Sequence, residues 1–362
     1  MIHHPTLMET SIIFAVLAII TALSVFFFVR SRPAYKQRIG FMAIREPGER
    51  LLGPPEEAAS EAAFDVIPAF VSQAAYQHRP ADPQATKEYR DTNIPFMDPD
   101  KTLSGLGWVK WPDFLDTKGD DELKNVHLRV EVWSSESERA VIVAFGGTEF
   151  RNLSDWRANL RWFIPIRHDE YSVLTGTYVH RFVDNYKRLA AKPEFVFLPQ
   201  ASLYSTGHSL GGGLAEAFAY ALPLDPQVPR VTKVYAFDPT PVTSFTSIDR
   251  ETKTTNKTGL KIDRIYERRE ILAILRSITS FFHVPPASDP TVRQIRYNLF
   301  PTINVVHGHS MSELLLSCGE LLTESLSSPN PATASATSVG RLRGNKARIG
   351  LAHSIRARST LH

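Results

Sequence analysis

Apolar and polar positions along this chain follow two periods, and the changes of period mark its elements. Ser11–Val29, SIIFAVLAIITALSVFFFV, carries no charge, and only Ser11, Thr21 and Ser24 are polar. As a helix this stretch is about 28 Å long, enough for a bilayer core of roughly 30 Å. Glu57–Gln77 sets Phe64, Ile67, Phe70, Val71 and Ala74 at helical spacing, and Pro68 is expected to start or kink that helix. Val126–Trp133, VHLRVEVW, alternates as an outer strand does, whereas Ala140–Phe145, AVIVAF, is apolar throughout and suits a strand buried on both faces. Val173–Ala190 is helical in pattern, Phe195–Thr206 leads into a glycine-rich turn, and Val231–Phe237 reads as another buried strand. Ile262–Tyr266 predicts a strand, Glu270–Ser280 a helix and Met311–Leu322 the last helix. Strand and helix periods alternate through the body, so the expected class is α/β, a mostly parallel sheet covered by helices.

Between these elements the chain divides by composition. Residues 1–10 read as a tail, 11–29 as a transmembrane anchor, and 30–56 as a basic juxtamembrane segment and linker. Residues 57–125 read as an accessory helix and an irregular segment, with Trp108 and Trp111 as packing anchors; 126–324 form the main domain and 325–362 a disordered basic tail. A cleaved signal is disfavoured for the first apolar run, because no basic residue precedes it and no small-x-small site follows it.

Charge sharpens this layout. Arg30, Arg32, Lys36 and Arg38 follow the apolar run with no acid among them, and Arg341, Arg343, Lys346, Arg348, Arg356 and Arg358 lie beyond the last acid, Glu324. The formal charge of +3 therefore conceals an acidic body between two basic ends. Such a body argues against nucleic acid as a partner, and basic ends suit an anionic membrane surface. The positive-inside rule predicts a single-pass protein whose body faces the cytoplasm. A lone cysteine, Cys318, excludes an intramolecular disulfide.

The candidate chemistry sits in Ser202–Leu222, SLYSTGHSLGGGLAEAFAYAL, where Gly207, Ser209 and Gly211 form G-x-S-x-G between a short apolar, β-branched run and an Ala-rich helical pattern. That context predicts a nucleophile elbow, with glycines removing Cβ atoms on either side of a strained serine. Two further stretches accompany it in order: FGGTEFRNLSDWRANL at Phe145–Leu160 and HSM at His309–Met311. With these three stretches, Val126–Leu322 resembles the fungal-type triacylglycerol lipases, the class-three lipases of the α/β-hydrolases. The resemblance implies an α/β-hydrolase-like domain, no cofactor and no metal, and hydrolysis of acyl esters of lipids through an acyl-enzyme intermediate.

Carried onto this sequence, the roles fall as follows. Ser209 is the expected nucleophile and His309 the base, with the backbone N–H groups of Leu210 and Thr148 forming the oxyanion hole. Glu270, in YERREIL, is the preferred acid, and Asp238, at the end of VYAFDPTP, is the alternative, with a plain turn residue as its other reading. Asp155, Trp156 and Asn159 lie at helical spacing and read as support for the oxyanion loop. His307 stands two residues from His309, but no nearby cysteine or carboxylate cluster completes an H-x-H metal pair. Gly146 occupies a place where many relatives carry arginine, so any strut given by that side chain is missing or replaced. The segment Ser277–Pro301 reads as irregular and as an apolar flap over the site. A membrane-anchored serine esterase is the leading reading; a thioesterase or acyltransferase with the same triad, or an inactive scaffold, are its alternatives.

Overall fold

The computed structural model describes residues 39–77, 99–112, 117–126, 128–147, 170–240, 248–268, 270, 284–299 and 309–327. Its strands are β1 (Phe41–Arg45), β2 (Glu56–Glu57), β3 (Val109–Lys110), β4 (Val130–Ser135), β5 (Ala140–Phe145), β6 (Ser202–His208), β7 (Val231–Phe237), β8 (Lys261–Glu267) and β9 (Thr291–Asn298). Its helices are α1 (Ala59–Gln77), α2 (Pro99–Gly105), α3 (Thr117–Asn125), α4 (Glu170–Val173), α5 (Val179–Ala190), α6 (Leu210–Ala221), α7 (Arg250–Lys257) and α8 (Met311–Ser327), with a π turn at Leu174–Tyr178 joining α4 to α5.

The strands form one sheet in the order β2-β1-β9-β8-β7-β6-β5-β4-β3. From β5 to β9 every pair is parallel, and antiparallel strands flank this centre on both sides. The uninterrupted apolar run of β5 explains its place: Val141, Val143 and Phe145 enter the core under α4, α5 and α6, while Ala140, Ile142 and Ala144 enter the core under α1 and α8. A strand covered on both faces has no solvent side to favour alternation. The architecture is that of the expected α/β class, a mostly parallel sheet covered by helices.

Several expectations are corrected. The strand expected over Val126–Trp133 begins instead at Val130 and runs to Ser135, second from the sheet edge, with two-residue β3 paired to Trp133 and Ser134. Its apparent polar positions are satisfied internally: Glu131 takes Trp133 Nε1 at 2.9 Å and Lys110 Nζ at 2.5 Å. The flap expected over Ser277–Pro301 gives way within the described residues to β9, a sheet strand between β8 and β1. Helix α1 runs through Pro68 rather than starting there, and the Pro68 carbonyl accepts the Thr206 hydroxyl at 3.2 Å. Within the stretch expected as a linker, β1 pairs with β9 and so belongs to the sheet. The apolar run 11–29 lies outside the described residues, and among those described no helix is long and apolar enough to cross a membrane.

Buried charge fixes α1 on the sheet. Arg293 of β9 bonds Asp263 of β8 and Glu61 of α1, each through a 2.8 Å contact from Nη2, and Lys233 of β7 reaches Asp263 at 2.7 Å. Tyr297 donates to Asp65 of α1 at 2.7 Å. These pairs give Arg293 and Tyr297 of β9, TVRQIRYN, partners on β8 and α1.

Candidate active site

Strand β6 ends at His208, and Ser209 turns the chain into α6 with φ 57° and ψ −121°. This left-handed conformation is strained for a residue with a Cβ and persists only where surroundings enforce it. Here they do so at close quarters. A Cβ on Gly207 would lie 2.2 Å from the Gly211 carbonyl oxygen, and one on Gly211 would lie 2.1 Å from that of Phe145. The serine backbone is also tied to the end of β7: Ser209 N donates to Phe237 O at 2.9 Å, and Thr240 N donates to Ser209 O at 3.2 Å. Leu210 opens α6, so its N–H belongs to the unsatisfied first turn, where a helix favours negative charge.

The tertiary structure brings His309 and Glu270 to this elbow from segments far along the chain. His309 directly precedes α8, and its Nδ1 lies 3.0 Å from Glu270 Oε2. A carboxylate only accepts, so Nδ1 carries the proton and Nε2 is left as the basic nitrogen. Both residues are buried. The His309 ring stands 4.6 Å, centroid to centroid, from that of His208, the residue before Ser209. The Ser209 hydroxyl is buried with no hydrogen-bond partner among the described residues.

Asp238, the alternative acid, is placed differently. It is fully buried with φ 41°, donates its N–H to Ile265 O at 2.7 Å, and turns Oδ2 toward His208 Nε2 at 3.6 Å. Glu270 therefore faces the expected base, and Asp238 faces the histidine beside it. Burial holds the His208 pKa below its ordinary value, partly offset by Asp238. Glu267, at the end of β8, accepts the Leu299 N–H at 3.1 Å, and burial pushes its carboxyl up to about 8.

On the other side of the elbow, β5 ends in Gly146 and Gly147. A Cβ at Gly146 would meet the Ala75 carbonyl oxygen at 2.9 Å, which explains why no arginine stands there. The strut comes instead from Arg129, whose Nη2 donates to the Gly147 carbonyl while its own carbonyl accepts Gly146 N–H at 2.9 Å. Nothing in the alternation of VHLRVEVW distinguishes Arg129 from a solvent-facing residue, so its contact with Gly147 is not legible in the sequence. Thr148, Asp155, Trp156, Asn159 and His307 lie outside the described residues.

Among the described residues, two clusters have the composition to hold a metal ion: His208, Asp238 and His309, and Glu61, Asp65 and Asp263. The second is already engaged by Arg293 and Lys233.

The model of a phospholipase-like family, the Tle-like phospholipase domain, matches residues 68–224, a span that includes Arg129, Gly146, Gly147 and the elbow and ends before Glu270 and His309. No curated protein sequence matches. Among solved structures, the triacylglyceride lipase of Rhizomucor miehei aligns at TM-score 0.39 and 17% identity over 64% of this chain and 77% of that one. The lipase propeptide complex of the same organism aligns at TM-score 0.37 and 16% identity, over 63% of this chain and 64% of that one. A lipase of Rhizopus microsporus var. chinensis aligns at TM-score 0.34 and 17% identity over 70% and 86%. Over residues 68–224 the chain is similar to the Tle-like phospholipase domain, and the solved structures it is similar to include fungal lipases.

Proposed function

We propose that the protein is a serine esterase acting on acyl esters of lipids, with Ser209 as nucleophile, His309 as base and Glu270 as the acid that orients it. The observation that carries this reading is the 3.0 Å contact of His309 Nδ1 with Glu270 Oε2, made beside a serine held at φ 57° on a strand-to-helix turn. Three chain segments with no sequence proximity meet there, and each supplies the group that acyl transfer needs.

In the proposed cycle His309 Nε2 takes the Ser209 proton as Oγ attacks the ester carbonyl. Glu270 holds the imidazole in the Nδ1–H tautomer and stabilises the imidazolium. The N–H of Leu210 donates to the tetrahedral oxyanion, Thr148 supplies the second donor from its loop, and Arg129 fixes that loop through the Gly147 carbonyl. The imidazolium then returns its proton to the leaving alcohol, and water repeats the sequence on the acyl-enzyme. Serine, histidine and glutamate complete this chemistry without a cofactor.

The matching family is phospholipase-like, so glycerophospholipid esters are the first substrates to try. Anchoring by residues 11–29, with the body on the cytoplasmic side, is part of the proposal and rests on the sequence alone. A tethered body meets lipid esters at high effective concentration. The test is fluorophosphonate labelling and ester turnover by the full chain in lipid vesicles, beside Ser209→Ala. Labelling and turnover that both vanish in the variant support the reading; turnover that survives Ser209→Ala refutes it.

A further inference from the structure

The residues around the elbow contain one feature that ester hydrolysis does not use. His208 and Asp238 have no place in the proposed cycle, yet both are as deeply buried as Ser209, at 4% and 0% exposure. With His309, at 6%, they offer one nitrogen, one carboxylate oxygen and one nitrogen, all within 4.8 Å of each other. Since Glu270 occupies His309 Nδ1, the nitrogen that His309 contributes is Nε2.

We propose that His208, Asp238 and His309 form a binding site for a zinc-type divalent transition ion, and that an ion seated there switches the esterase off by capturing His309 Nε2. The second half rests on the proposed function; the binding does not.

Geometry supports the site. Zinc bound at 2.0–2.1 Å in a tetrahedron sets its ligand atoms about 3.3 Å apart. His208 Nε2 and Asp238 Oδ2 are already 3.6 Å apart, and the His309 nitrogen lies within 4.8 Å of both. Two imidazoles and a carboxylate favour zinc or its neighbours over calcium or magnesium, which prefer all-oxygen shells. Each ligand is held from behind: His208 ends β6, Asp238 is bonded through its N–H to β8, and Glu270 orients the His309 ring. A carboxylate behind a ligating imidazole is the usual outer support of such a site, because it fixes the tautomer and raises the basicity of the other nitrogen. Three protein ligands leave the fourth position for water or for the Ser209 oxygen.

The consequence for catalysis is direct. A nitrogen lone pair donated to the ion cannot accept the Ser209 proton, so the same imidazole serves either the base function or the metal.

The test uses the full chain. Zinc and calcium chloride are titrated calorimetrically into wild type, Ser209→Ala, Asp238→Asn and His208→Gln, with circular dichroism to show that each variant is folded. The expected result is one zinc per chain in wild type and Ser209→Ala, at least tenfold weaker binding in Asp238→Asn and His208→Gln, and no calcium binding. Asp238→Asn preserves side-chain volume, so it separates ligation from folding. Fluorophosphonate labelling of wild type is expected to fall with zinc and return with EDTA. Zinc binding equal in all four proteins, or absent from wild type, overturns the site. Site-specific binding with undiminished labelling overturns the switch. Binding in Ser209→Ala beside a metal-free wild type that never labels refutes the esterase reading and leaves the metal site standing.

Discussion

A Cβ placed on Gly211 would sit 2.1 Å from the carbonyl oxygen of Phe145, the last residue of β5. That contact joins the nucleophile turn to the neighbouring strand backbone to backbone, and neither side has a flexible end that can yield. Gly211→Ala is expected to destabilise the fold by about 3 kcal/mol or more. Gly176, in the π turn, has nothing within 4 Å of its Cβ position. Gly176→Ala is expected to be neutral or stabilising by up to about 1 kcal/mol. Chemical denaturation of both variants checks the pair, and similar losses at both positions would contradict the close-approach argument.

The two candidate acids separate by mutation. Glu270→Gln preserves shape but removes the negative charge and lets an amide N–H face His309 Nδ1, so the tautomer is no longer fixed and kcat is expected to fall roughly 10⁴-fold. Asp238→Asn, whose carboxylate faces His208, is expected to cost much less in metal-free buffer. Steady-state kinetics on a nitrophenyl ester measures both, and the reverse ranking would move the orienting role to Asp238.

Under the proposed function Arg129 is expected to act as a positioning residue, and that role has a distinct signature. Arg129→Met keeps the aliphatic stem and loses the donor to Gly147, so the oxyanion loop is no longer held in register. A displacement near an ångström lowers turnover by about 10²-fold, so a kcat loss of about 10- to 100-fold with little change in KM is expected. Arg129→Lys should recover part of it. A variant that loses only stability, with kcat intact, would reduce the residue to a structural strut.

Two buried carboxyls link stability to pH. Burial pushes Asp65 up to about 7 and Glu267 up to about 8. For a carboxyl whose folded pKa is raised, the folded state binds the proton more tightly than the unfolded chain. The associated stability is complete below an unfolded pKa of about 4, and it is lost as pH rises through about 7 for Asp65 and about 8 for Glu267. Asp65→Asn and Glu267→Gln should each flatten the decline of the thermal midpoint between roughly pH 5 and 9 relative to wild type. Identical slopes in all three proteins would show that neither group titrates in that window.

What the sequence determined by itself is local. The apolar run 140–145, the turn Gly207–Gly211 and the helical pattern after it are set by neighbours in the chain, because backbone sterics and periodicity act over a few residues. From these the α/β class, the elbow and the last helix could be read directly. What the tertiary structure decided is every relation across the chain. Strands β1 and β9 were not legible, since one is five residues long after a basic stretch and the other carries Arg293, whose partners, Glu61 and Asp263, come from α1 and β8. The choice of Glu270 for His309 and Asp238 for His208 likewise depends on where β7, β8 and α8 end in space. Hydrogen bonds and ion pairs act over about 3 Å, and the chain length between two residues carries no record of that distance until the sheet has formed.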